Sequence, residues 1–188
     1  MEQDDIKFLL LWPTAVMQSR FVDHLEDMTK EVYRLTTIPN KIKKSNYGGW
    51  QSDVDLHENQ VFKPLCDHVG AVVAQVFKGN VAKLHQMWAC INKRGDQNLI
   101  HSHSNQYNLS GVYYLSAPQD CGDIVFRDPR PGALSAPFRL FKDDFDHANF
   151  TPFAGLMIVF PSFLEHFVLP SRSDEDRISI SFDLTFGR

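Results

Sequence analysis

The sequence predicts a mainly β protein with flanking helices: a double-stranded β-helix (jelly roll) with its N-terminal helices packed on one face. Three observations predict it. Two stretches before residue 80 repeat apolar residues at helical spacing. From residue 82 the chain breaks into short strand-like runs separated by turn residues. Helices followed by a series of short strands bury their apolar faces as helices against one face of a jelly roll. A chain of 188 residues fits one domain spanning 1–188, with helical support at about 14–80 and a β core at about 82–186.

The elements follow in order. Leu9-Leu10-Leu11-Trp12 is apolar, too short to cross a bilayer and closed by Pro13, so it reads as an edge strand entering the fold. Phe21, Leu25, Met28, Val32 and Leu35 predict an amphipathic helix over 16–36. Val61, Leu65, Val69, Val72 or Val73, and Phe77 predict a second over about 57–78, ended by Gly79-Asn80. Between them, residues 45–52 form a Gly-rich aromatic loop whose Trp50 either lines a substrate groove or packs against a helix. Strands are expected at 83–93, 98–103, 109–116, 123–127, 137–141, 155–160, 164–169 and 176–186. The stretch 128–153, rich in Pro, Asp and Phe and carrying His147, suits a long loop at the barrel mouth, with a lid as its functional reading.

Bulk properties narrow the function. A formal charge of −4 argues against a general nucleic-acid or anionic-membrane binder, because both need a concentrated positive field. Lys41-Ile42-Lys43-Lys44 is too short to reverse that and reads as a solvated loop. Cys66, Cys90 and Cys121 are odd in number, widely spaced and without a secretory leader, so they read as buried thiols of a cytoplasmic protein.

The chemistry concentrates in three places. His101-Ser102-His103 puts two imidazoles on one face if the segment is extended, and His166, between apolar runs 156–160 and 167–169, brings a third from another strand. Three neutral nitrogens can converge on one ion and leave other coordination positions open. Surface histidines, or a core histidine satisfied by a carbonyl, are the ordinary alternatives. Glu165 points away from His166 by alternation. In the last strand, Arg177, Ser179 and Ser181 share one face, and Ile178, Ile180 and Phe182 the other. A row of polar groups beside a guanidinium suits a carboxylate, which arginine grips with two parallel hydrogen bonds. A surface pairing of Arg177 with Asp174, Glu175 or Asp183 is the competing reading.

These patches resemble the Fe(II)/2-oxoglutarate-dependent oxygenases, in particular a small prolyl-hydroxylase-like branch. The resemblance spans roughly 45–186: Gly48-Gly49-Trp50-Gln51-Ser52, Trp88 to Asn92 with Gly95, His101-x-His103, Ser110 to Leu115, Phe160 to His166, and Arg177 to Phe182. It implies an enzyme holding Fe(II) through His101, His103 and His166. It also implies 2-oxoglutarate with its far carboxylate on Arg177, Ser179 and Tyr114, and Asn92 facing the pocket to orient the keto acid. With O2 as oxidant, such an enzyme hydroxylates a C–H bond of a peptide or small-molecule substrate and releases succinate and CO2. Trp50 is the candidate substrate contact. One departure stands out, because His103 occupies the carboxylate position of the family's H-x-D pair. Either the site works with three histidines, or a carboxylate comes from elsewhere, or one early histidine is not a ligand. The rival readings are a three-His dioxygenase that uses no keto acid and a non-catalytic jelly-roll binding module.

Overall fold

The computed structural model describes residues 13–38, 42, 44–76, 82–103, 106–132 and 147–186. In chain order the elements are β1 (Met17–Arg20), α1 (Leu25–Leu35), β2 (Asn46–Tyr47), β3 (Trp50–Gln51), α2 (Lys63–Val76), β4 (Ala82–Asn92), β5 (Gln97–His101), β6 (Leu109–Ser116), β7 (Ile124–Arg127), β8 (His147–Phe150), β9 (Leu156–Pro161), β10 (His166–Val168) and β11 (Arg177–Phe186). They form a six-stranded sheet, β1-β9-β6-β11-β4-β3, and a five-stranded sheet, β2-β5-β10-β7-β8. Every named strand pair is antiparallel. This is the jelly roll with helices on one face.

β11 decides the layering. Ile178, Ile180, Phe182 and Leu184 enter the core beneath the helices, while Arg177, Ser179, Ser181 and Asp183 face the space between the sheets. Alternation with period two puts every second residue on the same side, so one strand serves a hydrophobic core and a polar cavity at once. Gly111 on β6 makes room for this. A methyl group there would collide with the ring of Phe182 and stand 3.0 Å from the Ile158 carbonyl.

α1 buries Met28 and Val32 and places Glu26 and Asp27 in its first turn and Arg34 in its last, matching the helix dipole at both ends. α2 buries Leu65, Val69 and Val73 against the same sheet. Burial of each such side chain is worth about 1.5–3 kcal/mol, so the two stripes fix the helices on the six-stranded sheet.

Several expectations change. Residues 17–20 are strand rather than helix: β1 pairs with β9, and the chain turns into α1 through His24 at φ 62. The second helix is preceded by two short 3₁₀ turns, Leu56–Glu58 and Gln60–Phe62, the latter capped by Asn59, whose side chain accepts from Val61 N–H at 3.0 Å. The loop at 45–52 contributes β2 to one sheet and β3 to the other. The division near residue 80 therefore does not separate helices from strands, because β1, β2 and β3 precede it. The strand expected at 98–103 ends at His101, and β8, unanticipated within 128–153, extends the small sheet beyond β7. The expectations for residues 9–12, 77–80 and 137–141 fall outside the described residues. No helix among the described residues is long and apolar enough to cross a membrane.

Candidate active site

β5 and β10 are neighbours, and their register sets His166 directly opposite His101. Across an antiparallel pair, such partners hold their side chains on one face within a few ångströms. The ring centroids lie 4.3 Å apart. His103 lies two residues past the end of β5 and is held by its own N–H, which donates to the Ser162 carbonyl at 2.8 Å. Its ring sits 5.2 Å from that of His101 and 5.4 Å from that of His166. One ligand-capable nitrogen from each of the three lies within 4.8 Å of the other two.

Hydrogen bonding fixes the tautomers. Nδ1 of His101 meets the Leu99 carbonyl at 2.7 Å, and Nδ1 of His166 meets the Leu164 carbonyl at 3.0 Å. A carbonyl can only accept, so each Nδ1 carries the proton and each Nε2 keeps its lone pair. Nδ1 of His103 meets the carboxylate of Asp183 at 2.7 Å, with the same result. Burial pushes His166 down to about 3, with the nearby His101 adding to it and the Leu164 carbonyl opposing, and burial likewise lowers His101. Both rings are therefore neutral near pH 7, as a metal requires of them.

The opposite wall of the cavity, about 530 Å³ in volume, belongs to the six-stranded sheet. Arg177 is 2 % exposed. Its Nη2 donates to Asn92 Oδ1 at 3.0 Å and to Asn98 Oδ1 at 3.4 Å, and its Nη1 reaches the Gly122 carbonyl at 3.5 Å. Its Nε–H and the Asn92 amide nitrogen are buried donors with no acceptor among the described residues. Buried donors left open cost about 1–3 kcal/mol each, which an anionic ligand recovers. Ser179 and Tyr114, paired across β11 and β6, stand beside Arg177 on the same wall. Burial raises the Tyr114 phenol well above its usual range while Arg177 pulls it back, so it is a neutral donor.

A wall with a buried guanidinium and open donors faces a three-imidazole wall, and residues 86–183 match the family described as "Putative 2OG-Fe(II) oxygenase". The chain belongs to the 2OG-Fe(II) oxygenases. No curated protein sequence matches it. Among solved structures, the 2OG-Fe(II) oxygenase chain is similar to SnoN, a non-heme α-ketoglutarate-dependent epimerase from nogalamycin biosynthesis, at 14% identity and TM-score 0.72, covering 92% of this chain and 78% of that one. HygX from Streptomyces hygroscopicus, crystallised with nickel and 2-oxoglutarate, gives 15% identity and TM-score 0.67 over 92% and 83%. A prolyl-4-hydroxylase from Pseudomonas putida gives 18% identity and TM-score 0.64 over 93% and 94%. At these identities the likeness establishes the double-stranded β-helix. The cofactors of this oxygenase are Fe(II) and 2-oxoglutarate, with O2. The residues present fit them: neutral imidazole nitrogens suit a divalent iron, and open buried donors suit a dicarboxylate.

Of the residues the sequence singled out, the structure gathers His101, His103, His166, Arg177, Ser179 and Tyr114 around one cavity. Asn92 stands behind Arg177 as its acceptor. Trp50 packs partly buried against the helix-side core, and its neighbour Gln51 lines the cavity instead. Among the described residues Arg177 makes no ion pair, and Asp174 is taken by Arg94. Glu165 turns outward to Arg127, as alternation requires. Cys90 lies on the cavity wall, its thiol pushed up to about 11 by burial, so it stays protonated. Sequence reasoning passed over Asn98, a partner of Arg177, and weighed Asp183 only as a surface partner of Arg177, whereas it is buried and paired with His103. Extending the Arg177, Ser179, Ser181 alternation by one step finds Asp183.

Proposed function

We propose that this oxygenase is of the hydroxylase type: it oxidises a C–H bond of a peptide or small-molecule substrate and converts 2-oxoglutarate to succinate and CO2. His101, His103 and His166 hold Fe(II) through Nε2, and Arg177, Ser179 and Tyr114 hold the distal carboxylate of 2-oxoglutarate. The observation that carries this reading is the commitment of all three Nδ1–H groups to acceptors. It leaves the three Nε2 lone pairs free on rings that offer nitrogens within 4.8 Å of one another, across the cavity from a buried guanidinium with an unused N–H.

Bound iron supplies the redox chemistry that lets O2 attack an unactivated C–H bond. The chain supplies position. Arg177 fixes one end of the keto acid with charge and planar geometry, Ser179 and the neutral Tyr114 add hydrogen bonds, and Asn92 and Asn98 hold the guanidinium in place. Trp88, with its ring 5.8 Å from that of His103, and Val112, Ile124 and Phe160 keep the cavity wall apolar around the histidines. Lys44 and Trp88, which form a cation–π pair at 5.9 Å, also line the cavity. The free thiols of Cys66, Cys90 and Cys121 suit a cytosolic setting. His103 in place of a carboxylate is the feature that favours a keto-acid-independent three-His dioxygenase. That reading leaves the open donors of Arg177 and Asn92 without an acceptor.

Anaerobic addition of Fe(II) and then 2-oxoglutarate tests the proposal. A visible metal-to-ligand absorption band, followed by succinate release on admitting air, is expected. A +16 mass shift in a panel of peptides and metabolites then identifies the substrate. Iron binding with neither band nor succinate would assign the site to the keto-acid-independent chemistry.

A further inference from the structure

We infer that Asp183 is a positioning residue that delivers, through His103, the negative charge missing from the three-imidazole ligand set. This rests on the reading of His103 as an iron ligand. Asp183 is 2 % exposed and sits on β11, in the sheet opposite His101 and His166. One oxygen, Oδ1, accepts from His103 Nδ1 at 2.7 Å and from Ser110 Oγ at 2.6 Å. Ser110 Oγ is in turn hydrogen-bonded to Ser162 Oγ at 2.9 Å, and the Ser162 carbonyl takes the His103 backbone N–H at 2.8 Å. The four residues close a ring, so His103 is pinned by its backbone and its imidazole to the same cluster.

The three histidines are not equivalent. His101 and His166 lean on neutral carbonyls, whereas His103 leans on a carboxylate. A carboxylate behind Nδ1–H makes the far nitrogen a stronger donor and fixes the ring's orientation. Asp183 itself does not belong to the group of converging ligand atoms.

The burial of Asp183 points the same way. Among the described residues no lysine or arginine pairs with it, and its one ion-pair partner is His103. A buried carboxylate needs a compensating positive charge. A divalent cation on the other side of the imidazole provides one. Three neutral ligands leave the metal its full charge. Asp183 thus balances at one remove what a directly bound carboxylate would balance in contact.

Anaerobic titration of Fe(II) alone into the wild type, Asp183→Asn and Ser110→Ala tests this, alongside unfolding of each metal-free protein. Asparagine has the same shape and can still accept from His103. The wild type should bind one Fe(II) per chain, and Asp183→Asn should keep that stoichiometry with affinity about 10–100-fold lower. Ser110→Ala removes a competing donor to Oδ1 and should bind at least as tightly as the wild type. After 2-oxoglutarate is added, the absorption band should move to higher energy in Asp183→Asn and not in Ser110→Ala. A folded Asp183→Asn protein within about threefold of the wild type overturns the inference. If that variant does not fold, Ser110→Ala decides, and a tenfold loss there overturns it. A wild type that binds no iron fails at the earlier step and overturns the ligand assignment itself.

Discussion

Replacing Arg177 with alanine isolates the anion-holding wall from the imidazole wall. The guanidinium is 2 % exposed and held by Asn92, Asn98 and the Gly122 carbonyl, so its fork is already aimed when a ligand arrives. Loss of one member of a desolvated charge pair costs about 2–5 kcal/mol, much of it from leaving the other charge unpaired. The lower figure already corresponds to about 30-fold in the dissociation constant of 2-oxoglutarate. Folding is affected too: the Asn92 and Asn98 amide oxygens and the Gly122 carbonyl lose a donor beside the cavity, at about 1 kcal/mol each. Fe(II) stoichiometry should be unchanged, because the histidines of β5 and β10 make no hydrogen bond to Arg177. Arg177→Lys should recover part of the affinity, since an ammonium brings the charge without the planar fork. The assay is an anaerobic titration of 2-oxoglutarate into each Fe(II)-loaded variant, read by the visible band, with thermal unfolding as the control. An unchanged dissociation constant in folded Arg177→Ala would refute the anchor.

His166→Ala should abolish stoichiometric Fe(II) binding while the protein stays folded; iron content together with near-UV circular dichroism checks both. Metal-free protein should lose stability as pH falls from about 6.5 toward 3, because His166 takes up a proton in the unfolded chain at its ordinary value and in the folded one only near 3. The slope from this single proton is about 1.4 kcal/mol per pH unit, and urea midpoints for the wild type and His166→Gln should diverge across that window. Gly122→Ala should destabilise by about 1–3 kcal/mol and also weaken 2-oxoglutarate, because Gly122 has φ +91, a methyl group there meets the Leu169 carbonyl oxygen, and its own carbonyl receives Arg177. Urea unfolding and the same titration measure the two effects.

Legibility in the sequence followed physical strength of signal. β6 was readable to the residue because the β-prone run Val112-Tyr113-Tyr114-Leu115 lies between turn residues on both sides. The polar face of β11 was readable because period-two alternation survives along the strand. β1 was misread as helix because Phe21, although outside the helix, falls in step with the Leu25 to Leu35 stripe. The break is a left-handed residue, His24, which no periodicity reports. β8 was missed because His-Ala-Asn-Phe carries little β propensity; its pairing with β7 makes it a strand. Within the site, His101 and His166 were placed by strand logic. His103 reaches the cluster for a different reason than expected, since β5 has ended and its backbone bond to Ser162 and its ring bond to Asp183 hold it. Asp183 was weighed only as a surface partner of Arg177, because a lone carboxylate in a sequence reads as surface until its buried partner, His103, is seen.

The β5–β10 register has a mechanical consequence. His101 and His166 ride on one sheet, while His103 is tethered through Asp183 to the other. An ion shared by the three rings would therefore act as a clasp between the two sheets. Its departure would let the two sheets part there while the hydrophobic core under the helices stays packed. Backbone amides of Gln97–His101 and His166–Val168 should then exchange with solvent at a rate set by metal occupancy, and those of β4 and the core half of β11 at a rate set by global unfolding.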